Sequence, residues 1–239
     1  SMTVKTLYDD RIILNNEDHT YTLSSQPGIK FISVTTFIEK FFVGFDPESV
    51  ANKLINNYSK YSNFSVSELI SKWKAAADHG TKVHMEIEQW IQSGIEPNEL
   101  KAKNGKEWLK VNFDKSDVIF FPEIIVYSEE LSIAGTIDLV IQNKNTGEYD
   151  IYDWKTSKKI EMRSYGNKRG THEVTKKIMD CNFYHYSLQM SLYSYILEKY
   201  YNIEINNNHI VHLRDDGVKT ISTPYMKNEI IAMLNHEKI

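Results

Sequence analysis

Three charged residues set in apolar surroundings carry the strongest chemical signal in this sequence: Asp138, Asp153 and Lys155, all within Ile133–Lys158. The stretch reads as two strands closing on Lys144-Asn145-Thr146-Gly147, where glycine supplies the positive φ of a short hairpin loop. A turn centred between Asn145 and Thr146 sets Asp138 opposite Asp153. Directly opposed residues of an antiparallel pair have Cβ atoms about 5 Å apart, and period-two alternation puts Lys155 on the same face. Like charges so placed repel unless something sits between them. Mg²⁺ is a hard ion that takes carboxylate oxygens, keeps several waters and binds substrate phosphates. An ammonium two residues on could orient an attacking water or help deprotonate it. The alternation gives the other face Ile137, Leu139, Ile141, Tyr152 and Trp154, which is core composition. The acidic pair is therefore expected in a mostly buried sheet, where unpaired charges cost about several kcal/mol each. The bland alternative is an exposed hairpin with a cross-strand Asp–Lys pair.

The elements that must position these residues can be read in order. Arg11–Leu14 and His19–Leu23 flank Asn15-Asn16-Glu17-Asp18 and predict a small hairpin at the domain edge. A helix through about Phe42 starts at Ser33 or Thr35, and another starts at Asp46-Pro47. Ser65-x-x-Glu68 is a capping box that opens a helix over Val66–Asp78. Phe41, Phe42 and Phe45 either pack in the core or stack bases. A further helix begins at Gly80, with Val83, Ile87, Trp90 and Ile91 as its buried stripe. The wheel turns His84 inward at the stripe's edge and Glu88 towards solvent. His84 is either a satisfied core histidine or a metal ligand, and neutral imidazole suits Mn²⁺.

After a break at Gly94–Pro97 come a short helix over Asn104–Asp114 and a strand over Val118–Tyr127. A turn centred between Glu129 and Glu130 pairs Glu123 with Thr136, diagonal to Asp138, which brings a third carboxylate within reach; a solvent-facing Glu123 is the alternative. Ser157–Lys177 carries seven basic residues against Glu161 and Glu173, along with Gly166, Asn167 and Gly170. It reads as a basic, flexible insertion leaving the strand of Lys155. Tyr184–Tyr200 predicts a long helix with Gln189 and Tyr193 one turn apart on one face. Strands near Asn208–Leu213 and Val218–Thr223 and a helix from Lys227 close the chain.

With 239 residues and 41% apolar content, the chain is expected to form one elaborated domain. A net charge of −4 argues against coating nucleic acid by bulk electrostatics and leaves room for a local basic groove. Cys181 is the only cysteine, which excludes a cysteine-ligated iron–sulfur cluster and a Cys-rich zinc site. No apolar run approaches the ~20 residues of a membrane span, and no signal-peptide pattern opens the chain, so a soluble, intracellular protein is expected. The richness in Lys, Asn, Ile and Tyr hints at an AT-rich genome, as in some bacteria and phages. Ser1-Met2 looks like a cloning remnant, which leaves a removed organellar transit peptide open.

Asp138, fourteen intervening residues and then Asp153-Trp154-Lys155 resemble the D…(D/E)-x-K signature of the PD-(D/E)XK nucleases. The continuation Thr156-Ser157 resembles the RecB-like exonuclease branch, which includes the mitochondrial genome maintenance exonuclease and phage exonucleases. Gly80-Thr81-x-x-His84 is similar to the helix that supplies a histidine metal ligand there, and Gln189-x-x-x-Tyr193 to an element beside the metal site. The resemblance implies an α/β fold, a mixed central sheet flanked by helices on both sides around a restriction-endonuclease-like core, with an N-terminal hairpin and helical elaboration. It implies one nuclease domain over 1–239: hairpin and helices in 1–65, catalytic core in 80–200, basic flexible insertion in 157–177.

The implied activity is metal-dependent hydrolysis of DNA phosphodiester bonds by an exonuclease of replication, repair or recombination, preferring single strands with a free end and using Mg²⁺ or Mn²⁺. His84, Asp138, Asp153 and the Trp154 carbonyl would hold the metal, Lys155 would position the nucleophile, and Glu123 matches the family's acidic residue on the preceding strand. Gln189, Tyr193, Thr156, Ser157, Lys168 and Arg169 would bind substrate. A structure-specific endonuclease, an RNA-directed nuclease and an inactive DNA-binding module are the alternatives. DNA is the expected partner, and no membrane is.

Overall fold

The computed structural model describes residues 5–238, so the reading of Ser1-Met2 lies outside it. A hairpin of β1 (Ile12–Asn15) and β2 (Thr20–Leu23) comes first, as the sequence predicts. The two-residue strand β3 (Ile32–Ser33) runs into α1 (Val34–Glu39), whose N-cap is the Ser33 hydroxyl accepting the Thr36 N–H. Next is α2 (Pro47–Asn57), capped by Asp46 with proline in its first turn. Ser65 caps α3 (Val66–Ser93), which ends on left-handed Gly94 at φ 69°. It is followed by α4 (Leu100–Asn112), then β4 (Val118–Ser128), β5 (Ile133–Asn143) and β6 (Tyr149–Lys155). The chain continues through α5 (Asn182–Tyr200), β7 (Ile205–Arg214), β8 (Gly217–Thr223) and α6 (Lys227–Glu237).

The main sheet is mixed. Strands β4, β5 and β6 form an antiparallel meander, α5 carries the chain over to β7 parallel to β6, and β8 returns antiparallel. On one face α1, α5 and α6 bury Phe37, Leu188, Ile196 and Met233 against Val140 and Ile151. On the other, α3 and α4 bury Val83, Ile87 and Leu109 against Leu139, Tyr152 and Val211. The expected mixed sheet flanked by helices on both sides is therefore present. Among the described residues, no helix is long and apolar enough to cross a membrane.

Strand β5 has three neighbours. Strand β4 pairs along β5 from Ile133 to Asn143, so β3 and β6 must divide the opposite edge. Strand β3 takes Ile133 and Ala134, and β6 takes Leu139 to Gln142. Gly135–Asp138 lies between them, where the edge of β5 opens.

Four expectations need correction. The helix expected to restart at Gly80 is one continuous 28-residue helix, α3. Glycine costs a helix about 1 kcal/mol, but a Cβ at Gly80 would lie 2.8 Å from Thr156 Oγ1, so the residue serves close packing rather than a break. The β4–β5 register differs too. Ser128 pairs with Ile133 and Ile125 with Thr136, which puts Glu123 directly opposite Asp138 rather than diagonal to it. The connecting loop is longer than expected because Ser132 takes a left-handed turn at φ 54°. Third, Ile137 does not share a face with Leu139 and Ile141: it joins the α1/α5 core, they join the α3/α4 core. Strict alternation forbids this, and the break coincides with Glu123 at φ 51° between Pro122 and Ile124.

The fourth correction concerns the insertion. Its second half is tied down: Arg169 bridges to Met179, the Thr171 N–H and the buried Thr175 hydroxyl both donate to the Phe41 carbonyl, and Gly170 lies against Thr175. Backbone pairing, which composition does not report, orders this stretch. Phe41 and Phe42 are core, whereas Phe45 is exposed with its ring 5.4 Å from that of Trp73.

Gly135 is where the opened edge meets the helices. A Cβ there would lie 2.7 Å from Tyr193 Cε1 and 2.8 Å from Val34 Cγ2. Gly135→Ala should therefore destabilise the protein by about 1–3 kcal/mol in denaturant melts, the usual range for overpacking. Gly28→Ala, with open space around it, is the matched control. Equal stability of the two variants would show that the Tyr193 packing is not tight.

Candidate active site

The hairpin register is the one the turn predicts: Leu139 pairs with Tyr152 and Gln142 with Tyr149, which sets Asp138 and Asp153 next in line. There the strands part. Instead of a ladder bond, the Trp154 N–H donates to Asp138 Oδ2 at 2.9 Å. Asp138 Oδ1 faces His84 Nδ1 of α3 at 3.5 Å, and Asp153 Oδ2 lies 2.7 Å from the Lys155 ammonium. The ammonium sits 4.2 Å from the centre of the Tyr186 ring on α5. The opened edge is thus reached by α3 from one layer and α5 from the other. Asp138 is 9% and Asp153 4% exposed.

Charges are sorted rather than shared evenly. Burial alone would raise both aspartates. The charge and hydrogen bond of His84 hold Asp138 below the usual carboxylate range, whereas burial and the Asp138 charge keep Asp153 above it. Burial disfavours the His84 cation, but Asp138 outweighs it and lifts His84 to about 9. Burial, then the charges of Asp138 and Glu88, push Glu123 up to about 8. Lys155 is raised despite burial, by Asp153 and Tyr186.

Among the described residues, no three of His, Cys, Asp and Glu converge closely enough to enclose an ion as they stand. The donor set nevertheless suits a hard divalent cation: two buried carboxylates, Glu123 and one imidazole. Asp153 Oδ2 supports this fit, because it is buried without an aligned hydrogen-bond donor even though the Lys155 ammonium is near.

The other predicted site residues divide. Gln189 Nε2 donates to the Tyr193 hydroxyl at 3.0 Å, and Tyr193 is buried, its phenol raised by burial and by the Asp153 charge. The amide and phenol therefore bind each other beside the acids. Thr156 lies against Gly80, and its carbonyl accepts from Lys101 at 3.1 Å. The Ser157 carbonyl meets His212 Nε2 at 2.5 Å, and its hydroxyl donates to the Lys159 carbonyl. Lys168 is exposed, and the Arg169 guanidinium donates to the Lys177 carbonyl and to Asn167 Oδ1, so Arg169 clasps its own loop.

Two residues escaped the sequence reading. Glu88 was expected to face solvent, yet it is half-buried, and burial and the Asp138 charge raise its carboxyl. Its place one helical turn beyond His84 was the available signal. Tyr186 had no signal, because only the fold shows that its ring meets Lys155.

No protein-family model matches the chain, and no curated protein does. Among solved structures the chain is similar to the crystal structure of SSO0001, with 12% identity, 86% of this chain and 73% of that one covered, and a TM-score of 0.40. Likeness at that level carries no argument about fold or function.

The sorted charges give a pH dependence for the metal-free protein. Asp153 and Glu123 keep protons above the unfolded carboxylate range near 4, so stability falls as pH rises from about 4 towards 8. The raised His84 adds stability that is present below 6.5 and lost as pH climbs through about 9. Asp138, held low, is ionised throughout and adds no slope. In chelator, Tm should drop steadily from about pH 5 to about pH 9, and Glu123→Gln should flatten the lower half of that fall. A flat or rising Tm across the window would contradict the charge assignment.

Proposed function

We propose that this chain is a metal-dependent deoxyribonuclease with a restriction-endonuclease-like core, acting as an exonuclease on single-stranded DNA with a free end in an intracellular setting. The observation that carries the reading is the opened edge of β5, where Asp138, Asp153 and Lys155 of one hairpin meet His84 of α3. The resemblance of these residues to the PD-(D/E)XK signature agrees with it. A module that only binds DNA has no use for a buried pair of repelling acids. Endonuclease action and RNA cleavage share the same site chemistry and are distinguished by substrate.

Asp138, Asp153, Glu123 and His84 are the residues that would hold Mg²⁺ or Mn²⁺, with the Trp154 carbonyl as a further oxygen. Bound there, the ion would supply a Lewis acid that acidifies water and takes up phosphate charge. The Trp154 N–H fixes the rotation of the Asp138 carboxylate. Asp153 and Tyr186 keep the Lys155 ammonium charged and in place, so it can hold an attacking water against the phosphate. The two core layers bury the acids, while the His84 and Lys155 side chains stay partly exposed to an approaching phosphate.

Activity should require a divalent metal, and Asp138→Ala, Asp153→Ala and Lys155→Ala should each lose about 10²-fold or more in rate while remaining folded. In chelator, Asp153→Asn, which keeps the shape of the acid that burial and Asp138 hold above the usual range, should leave the protein as stable as the parent or more so, whereas Asp138→Ala strands His84 and the Trp154 N–H and should cost stability. Full DNA cleavage by Asp138→Ala, or in excess chelator, would overturn the proposal. End-labelled single-stranded, duplex and circular DNA and RNA, assayed side by side with Mn²⁺, separate the substrate classes.

His84→Ala should raise the Mn²⁺ concentration for half-maximal rate by about 10- to 100-fold, the scale on which residues around a metal act. Glu88→Gln should raise it by less, since its carboxyl feels Asp138 without touching it. Met85→Ala, exposed between them, is the control for helix damage. Equal shifts in all three would remove His84 and Glu88 from the site.

A further inference from the structure

Outside the site, large apolar side chains exposed to solvent gather on segments that touch one another. Val43 and Phe45 are 61% and 64% exposed in the loop before α2, Tyr58 is 46% exposed at the end of α2, and Met162 and Tyr165 are 49% and 83% exposed in the insertion. The loop and the insertion are joined by the hydrogen bonds of Thr171 and Thr175 to the Phe41 carbonyl. The Tyr58 and Tyr165 phenols lie near each other, close enough that Tyr165 raises the Tyr58 phenol. Phe45, at the opposite end of α2 from Tyr58, leans on Trp73 of α3, the helix that carries His84 further along.

An exposed apolar rim of this kind marks a binding surface. Its charge says for what. The insertion contributes Lys158, Lys159, Arg163, Lys168 and Lys177 against Glu161, with Arg169 clasping its own loop and Lys176 paired to Glu173, within a chain of net charge −4. Lys53 and Lys60 flank Tyr58 on the other segment. Rings interleaved with cations are what a single nucleic-acid strand recognises: each base presents a flat face to stack and each linkage a phosphate to neutralise. A duplex offers the phosphates but keeps its bases stacked inside. The position also fits, since the insertion starts two residues beyond Lys155 and α3 leads down to His84.

We infer that Tyr58 and Tyr165 form a stacking platform for the unpaired bases of single-stranded DNA, with the cations of the insertion holding its backbone on the approach to the Asp138–Asp153 site. The inference rests on the proposed nuclease reading for where the strand leads, and on the rim alone for what binds.

The test separates the two. Binding is read by fluorescence anisotropy of a labelled oligodeoxythymidylate in chelator, so that no cleavage enters, and the site by hydrolysis of bis(p-nitrophenyl) phosphate with Mn²⁺, a diester too small to reach the rim. Tyr165→Ala should weaken strand binding by roughly 5- to 100-fold, the range for removing one ring from under a base. Tyr165→Phe, which keeps the ring and loses the phenol contact, should bind within about two-fold of the parent. Both should hydrolyse the small diester as the parent does. A matching duplex should bind parent and Tyr165→Ala equally. Parent-like strand binding by Tyr165→Ala, or equal loss in the Phe variant, would overturn the platform. So would loss of small-diester hydrolysis together with binding, since that signals a structural role. Intact ring-dependent binding in a protein that cleaves neither DNA nor the small diester would overturn the nuclease reading and leave the platform standing.

Discussion

Two carboxylates that repel each other inside the protein set the terms for the structure around them. Asp138 and Asp153 are nearly sealed from water, where each charge costs about several kcal/mol unless compensated. The compensation comes from every direction: His84 from α3, the Trp154 N–H from the adjacent strand, Lys155 from the same strand face, and a proton retained by Asp153. These partners must come from different layers, and this explains why the site lies where β5 loses its neighbour between β3 and β6. A continuous ladder would have spent the Trp154 N–H on a backbone carbonyl and closed the opening.

The same demand accounts for the strain in β4. Glu123 adopts a left-handed conformation that costs a non-glycine residue about 1–3 kcal/mol. It stands opposite Asp138, its carboxyl pushed up by burial and by Asp138 and Glu88. Regular alternation would keep Ile137 and Leu139 on one face. The kink lets them enter different cores while Glu123 and Asp138 sit at the junction between the two. Pro122 just before it has no N–H to give a ladder, which suits a strand paired on one side only.

Much of this was legible in the sequence where local rules govern. The caps at Ser33, Asp46 and Ser65, the Gly94 stop and the Asn145–Gly147 turn are each set by a residue's own backbone preference, and the structure keeps them. The β5–β6 register followed from that turn, and the Asp138–Asp153 juxtaposition with it. What failed had a remote cause. Gly80 looked like a helix break because Thr156, 76 positions later, is what needs the space. Glu123 was placed two residues out of register because Ser132 lengthens a loop without glycine. The Pro122-Glu123 pair inside an apolar strand was the one visible sign of the kink. Glu88 went outward on an ideal wheel because the wheel knows nothing of β4 on α3's flank. Tyr186 has meaning only through Lys155.

The insertion shows how composition and structure divide the labour. Its cations and glycines lack the apolar content to order themselves, and composition alone argued for a free arm. Order arrives instead through backbone pairing at Arg169 and Met179 and through the Phe41 carbonyl, which takes two donors from this segment. Arg169, though exposed, turns its guanidinium to its own loop. These ties hold the second half of the basic segment in place against the loop that follows α1. A chain of net charge −4 thereby carries a local excess of positive charge beginning two residues beyond Lys155, while the cations set against the buried acids, Lys155 on Asp153 and His84 on Asp138, belong to the site itself and come from β6 and α3.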